Sequence, residues 1–480
     1  MSNVLERDTR VERDHMVTGG ELARGLSNRH IQLISIGGAI GTGLFMGAGK
    51  TISISGTSII LTYMIIGFFL FFVMRAMGEM LLSDLKYKSF ADFCSTYLGA
   101  WAGFFIGWSY WLTWVVGSIA DYVVVGGYLQ FWFPTLPAWV PAVSTLAALL
   151  LLNVLTVKLF GELEFWFAII KIIAIVSLIS VGAYLTSISF VSPNGVRSSL
   201  SNVIERESFM PHGLLGFFAG FQIAIFSFAG IELVGTTAAE TKDPERNLPR
   251  AINAVPLRVI LFYVLSLICI ISVSSWSKIS AHVSPFVQLF VAAGFPMVAG
   301  VINFVVTTSA MSAANSGVFS TSRMLYGLAM KSDAPKIFKW LTSHSVPVMG
   351  LIFSCLCMLA GILLLFIIPD VMSIFTIVST VSAILFIFVW SLILVAYIVY
   401  RMRSPDLHAK SKFKMPGGVP MASISLVFFI FVVGLLALDA DTRLALRLMP
   451  LWFLFLFVAY RLTGRSRRRF ALPPRAEIAE

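Results

Sequence analysis

Apolar runs of membrane-spanning length recur along this chain from residue 30 to residue 463, each closed by charge or by Pro and Gly. Read as helices, they fall at 30–50, 57–82, 98–131, 137–157, 161–186, 214–237, 251–273, 286–326, 348–368, 371–401, 419–439 and 445–463. The pattern predicts an all-α integral membrane protein with about twelve transmembrane helices. It divides into a polar N-terminal segment (1–29), a five-helix group (30–186), a polar loop (187–213) and a second five-helix group (214–401). A loop with helices eleven and twelve (402–463) and a basic tail (464–480) follow.

Two spans break the pattern from within. Gly37, Gly38, Gly41, Gly43, Gly47 and Gly49 crowd the first, and glycine costs about 1 kcal/mol against alanine inside a helix. The sixth contains Phe226-Ser227-Phe228-Ala229-Gly230-Ile231-Glu232, with a carboxylate at mid-span and a second glycine at Gly235. Unwound backbone at membrane depth is tolerated only where it is buried in protein or lines a cavity. Breaks at corresponding places in two five-helix groups mark an inverted-repeat transporter with its site near the bilayer midplane. The alternative is that these glycines are small-residue packing contacts. Amides freed around Gly41–Gly43 suit a carboxylate. Carbonyls freed around Phe226–Ala229 suit an ammonium group. Together they complement the two charged ends of an amino acid.

Composition changes the picture only by excluding alternatives. Hydrophobic residues are 58% of 480 and charged residues 12%, about half the charged share of soluble domains; mean hydropathy is +0.88. The net charge of +11 is unevenly placed: counting residues near span ends with the loop beside them, 26 Lys and Arg lie on the side of the termini and six on the other side, with three (Arg75, Lys171, Arg258) deeper inside spans. That asymmetry predicts cytoplasmic termini and a tail resting on anionic lipid, with no nucleic-acid partner. The N-terminal 29 residues lack an apolar stretch, so no cleavable signal is expected. Cys94, Cys269, Cys355 and Cys357 lack metal-site spacing and read as apolar packers. No phosphate-binding Gly-x-x-x-x-Gly-Lys motif and no nucleophile–base set occurs, which disfavours an ATP-driven pump and an enzyme. No metal or cofactor is expected.

Ionisable residues inside spans are costly and mark function by default. Glu232 sits at the sixth-span break, and Lys171 half-way along the fifth span. Lys171 has two readings: a group that exchanges a proton, or a permanent tether for carbonyls of a broken helix. Asp121 in the third span faces either the same cavity or its outer vestibule. Arg75 and Glu79, four apart, are expected to pair with each other or to snorkel. Glu162 and Glu164 are expected to sit at the N-terminus of the fifth span, where negative charge suits the helix dipole, with a gating role as the alternative.

Asn28-Arg29-His30-Ile31-Gln32-Leu33-Ile34-Ser35-Ile36-Gly37-Gly38-Ala39-Ile40-Gly41-Thr42-Gly43-Leu44-Phe45 resembles the opening of the bacterial amino acid permeases of the amino acid–polyamine–organocation superfamily. Gly230-Ile231-Glu232, Ala239-Glu240-Thr241-Lys242-Asp243-Pro244-Glu245, Leu248-Pro249-Arg250-Ala251-Ile252 and Ala314-Asn315-Ser316-Gly317-Val318-Phe319-Ser320-Thr321-Ser322-Arg323 match it too. The resemblance implies a LeuT-like fold: two inverted five-helix repeats, helices 1 and 6 broken, and two C-terminal helices. It also implies proton symport across the bacterial inner membrane, with an amino acid and protons as partners and no cofactor beyond the proton gradient. Within the family the chain is similar to the branch for D-serine, D-alanine and glycine; a proline or aromatic amino acid permease is the alternative, with a channel or sensor as the different-class one. On this resemblance Gly38, Gly41, Thr42 and Gly43 take the substrate carboxylate, and Ser227, Phe228 and Gly230 the amino group. Glu232 and Lys171 match the family's coupling carboxylate and lysine; Asp121 joins them as a coupling or gating candidate from its own place inside the third span. Asn315 and Ser316 lie beside the place where related transporters hold sodium; an ammonium from Lys171 there favours protons over sodium.

Overall fold

The computed structural model describes residues 17–18, 40–87, 89–155, 157–193, 195–236, 243–343, 345–368, 370–438 and 440–463. The first arm enters through a π-helical turn, Gly43–Gly47, and continues as α1 (Ala48–Ser55). A single turn at Gly56–Ser58 leads into α2 (Ile59–Ser83). There follow α3 (Phe90–Leu98), α4 (Ala100–Leu129), α5 (Trp139–Leu155) and α6 (Val157–Ser187). The second group comprises α7 (Gly213–Phe226), α8 (Leu233–Thr236), α9 (Pro244–Asn253) and α10 (Leu265–Val273, entered through a π turn at Val259–Val264). It closes with α11 (Pro285–Ala292), α12 (Pro296–Met330), α13 (Val348–Ile362) and α14 (Val371–Arg403). The C-terminal pair is α15 (Gly418–Leu435) and α16 (Ala440–Leu462).

Ten described helices are long and apolar enough to cross a membrane, one of them the continuous run Gly43–Ser83. Separating that run at its turn and adding the shorter Trp139–Leu155 recovers the twelve expected spans.

Helix contacts repeat across the two groups. The third span, α4, lies against its counterpart α12, and α4–α14 is matched by α12–α6. Likewise α4–α5 is matched by α12–α13, and α10–α6 by α14–α2. This pairing is what a pseudo-two-fold exchange of the two groups produces. α15 and α16 pack outside it, on α14 with α2 and on α14 with α4. Small residues let the central pair approach: a Cβ on Gly317 of α12 would sit 1.9 Å from Ser118 Oγ on α4.

Two expectations change in detail. The predicted span 286–326 is two helices, because α11 ends at Ala292 and Pro296 begins α12 afresh, running on to Met330. Beyond Met330 the described residues of the connection to α13 form a 3-10 turn, Lys336–Lys339, and a two-residue strand, Trp340–Leu341, paired antiparallel with Val17–Thr18. Arg75 and Glu79 bind the loop before α15 instead of each other. Arg75 Nη1 donates to Asn253 Oδ1 at 2.7 Å, Nη2 donates to Lys414 O, and the guanidinium lies 3.9 Å from the Phe413 ring centre. Glu79 accepts from Met415 N at 2.7 Å and meets His408 Nδ1 at 2.5 Å. The buried carboxylate thereby clamps the α14–α15 connection.

Candidate site between the two broken spans

The sixth span is interrupted between α7 and α8. Ser227, Phe228 and Ala229 turn back with bonds to residues three before them, at 3.0–3.1 Å, a tightening that ends the regular ladder. Gly230 then takes φ +92°, a backbone state open to glycine and costly for other residues. Against this break lies the first arm. A Cβ on Gly43 would fall 2.5 Å from Ser227 Cα and 2.9 Å from the Phe226 carbonyl carbon. Only a residue without a side chain lets the two backbones touch there.

Where the arms meet is a cavity of about 20 Å³, room for about one water. Gly41, Thr42 and Gly43 line one side, and Phe226, Ser227 and Ala229 the other. Thr113, Trp114, Gly117 and Asp121 come from α4, Ala313 from α12 and Phe386 from α14. The first-arm amides head a helical arm and carry the positive end of its dipole. Asp121 faces this cavity, which settles its two-way reading, and Thr42 Oγ1 donates to its Oδ1 at 2.5 Å. Trp114 and Phe386 meet edge to face at 6.1 Å and form the apolar wall.

The break is held from behind by aromatic hydroxyls that sequence reasoning missed. Tyr63 on α2 shares a 2.7 Å hydrogen bond with Ser227 Oγ, and Tyr263 OH donates to Ser227 O at 2.8 Å. Phe228 stacks on Tyr263 at 4.9 Å and 2°. Its ring is part of that support, and Phe228 is not among the residues that line the cavity. Gly230 and Glu232 also lie off the cavity lining. Glu232 is fully buried and accepts from Tyr110 OH at 3.2 Å; its Oε2 meets no donor among the described residues. Gly38 lies outside the described residues.

Lys171, Asn315 and Ser316 form a second group. Lys171 Nζ donates to Ser312 Oγ at 2.9 Å, and Ser312 Oγ donates to Glu164 Oε2 at 2.8 Å. Asn315 Nδ2 donates to Glu164 Oε1 at 3.0 Å, and Asn315 Oδ1 accepts from Asn153 Nδ2 at 2.8 Å. Ser316 Oγ is buried and meets no hydrogen-bond partner among the described residues. Glu164 is thus no cap. α6 starts at Val157, so Glu164 stands two turns inside it, 1% exposed and facing α12. Its spacing of seven from Lys171 puts both on one helix face, a signal present in the sequence. Ser309 Oγ, one turn before Ser312, donates to Ile40 O of the first arm at 3.1 Å. Ser312 faces the charged pair while its neighbour Ala313 faces the cavity, so one turn of α12 joins the two groups.

The fold and these sites define a multi-pass helical membrane carrier whose sixth span is interrupted against the first arm. The amino acid permease family matches residues 30–473, and the chain belongs to that family. It is 60% identical over 446 residues to the D-serine/D-alanine/glycine transporter of Escherichia coli O6:H1, covering 93% of this chain and 95% of that one. The transporter of the same name from Escherichia coli K12 is 59% identical over the same shares. Amino-acid permease AapA of Bacillus subtilis is 47% identical over 445 residues, 93% of this chain and 96% of that one. The activity is amino acid transport across a membrane and not enzymatic conversion.

Proposed function

We propose that this permease takes up glycine, D-alanine and D-serine with protons across the bacterial inner membrane, its termini in the cytoplasm. The observation that carries the reading is the cavity of about 20 Å³ between the two breaks. The glycine backbones of the first arm receive the carboxylate, Gly41 and Gly43 leaving the amides uncovered and Gly38 extending the same run. Asp121 and the backbone at Ser227 and Ala229 receive the ammonium group; Thr42 holds Asp121 in place. Phe228, Gly230 and Glu232 set the shape of the sixth-span break behind that contact. Lys171, with Asn315 and Ser316 beside it, carries the coupling charge. The pocket is contracted, so the arms must part to admit even glycine, and the opening reaches small side chains first. A hydrogen or methyl asks little of the walls, and either enantiomer can present both charged ends. The names borne by the relatives of Escherichia coli agree with this substrate class.

Competition against labelled glycine uptake tests it in cells expressing the protein. D-serine and D-alanine are expected to suppress uptake at concentrations tenfold or more below those needed of L-proline or L-phenylalanine, about 1.4 kcal/mol of discrimination. Suppression by L-phenylalanine with indifference to D-alanine would transfer the protein to the aromatic substrates.

A further inference from the structure

Glu164 has no task in amino acid recognition, yet it is a buried carboxylate with a hydrogen bond on each oxygen. Each of its oxygens accepts a hydrogen bond from α12, at 2.8 Å from Ser312 and 3.0 Å from Asn315. The Ser312 hydroxyl is oriented by both neighbours: it accepts from Lys171 Nζ and donates to Glu164. Lys171, Ser312 and Glu164 are each 1% exposed or less. A three-member chain with one direction of donation, closed to water, is the geometry of a proton relay. Among the described residues, Lys171 is the charged group that acts on Glu164, while Glu164 and Asp121 act on Lys171. From α5 and α12 the neighbours are the neutral Asn153, Ser309, Ser312 and Asn315.

The two ends of the chain differ in reach. Lys171 stands half-way along α6 and is electrostatically linked to Asp121 in the cavity wall. Glu164 is seven residues from the start of α6, about 10 Å along the axis from that end at 1.5 Å per residue. On the proposed orientation, that end faces the cytoplasm.

We propose that Glu164 is the inner station of the transported proton, loaded from Lys171 through the Ser312 hydroxyl. The Lys171 ammonium gives a proton to Ser312 Oγ as the Ser312 hydroxyl passes its own proton to Glu164 Oε2. One N–H and one O–H bond break, two O–H bonds form, and a charged pair becomes a neutral one. Glu164 then releases the proton to water when the cytoplasmic side of the bundle opens. Lys171 is recharged from the substrate side. The inference rests on the proton-coupled reading above.

The test uses the full-length protein in proteoliposomes, comparing glycine accumulation driven by a pH gradient with glycine counterflow at equal pH. A one-unit gradient sustains about tenfold accumulation at one proton per substrate. For wild-type protein, accumulation without any response to the gradient would remove the proton-coupled reading itself. With that response present, Glu164→Gln and Ser312→Ala are expected to lose gradient-driven accumulation about fivefold more than counterflow. Glu164→Asp, which keeps an ionisable oxygen, is expected to restore part of the accumulation. Gradient-driven accumulation by Glu164→Gln equal to wild type overturns the proposal. So does equal loss of both activities in all three variants, which assigns Glu164 to structure alone.

Discussion

Gly43→Ala is expected to abolish transport while the chain still inserts. The added methyl would lie 2.5 Å from Ser227 Cα and 2.7 Å from Ser227 N. Those are backbone atoms, pinned by Tyr63 and Tyr263, so no side chain can swing away. The two arms must separate, and overpacking of this kind costs about 1–3 kcal/mol. Displacing recognition groups by about 1 Å can lower a rate about a hundredfold, and a loss of that size in glycine uptake is expected. Gly41→Ala is the control in the same run: its methyl would meet Ala313 Cβ at 3.6 Å, an ordinary contact. It should narrow the pocket and raise the KM for D-serine more than for glycine. Uptake assays paired with surface labelling separate both effects from loss of protein. Equal activity of Gly43→Ala and wild type would mean the breaks do not close on each other during transport.

Lys171→Met has the second largest expected effect, on stability as well as transport. The substitution keeps the volume and removes the charge, leaving Glu164 buried with only Ser312 and Asn315 as donors among the described residues. Removing one member of a buried charged pair costs about 3–5 kcal/mol, so a clear drop in the Tm of purified protein is expected. Adding Glu164→Gln should recover much of that drop, because the stranded carboxylate is then gone; neighbours in one network are not additive. Neither variant should regain gradient-driven accumulation. A Lys171→Met protein with wild-type Tm would show that the ammonium does not compensate Glu164.

The spans were legible because each is a long apolar run, and the sixth-span break because Gly230 and Gly235 stand beside a carboxylate there. The repeat followed from the spacing of the first and sixth spans. What failed was depth. Starting the fifth span at residue 161 put Glu164 at a helix end, whereas α6 begins at Val157 and carries it into the bundle. A shift of one helical turn turned a buried partner of Lys171 into an apparent cap. Pocket residues such as Trp114, Ala313 and Phe386 were invisible for another reason. Polar and apolar residues do not separate into stripes along their spans, so periodicity gives no sign of which side looks inward. The tyrosines behind Ser227 come from α2 and the seventh span, contacts that chain order does not disclose.

The central claim is that one small cavity between two broken spans takes both ends of a small amino acid and moves it with a proton. Internal pH in proteoliposomes, followed by a trapped dye after adding amino acid outside, tests this most directly. Glycine and D-alanine should each acidify the lumen at matched starting pH, whereas L-phenylalanine should not. Uptake of D-alanine with no change in internal pH, or an equal response to L-phenylalanine, would contradict the account.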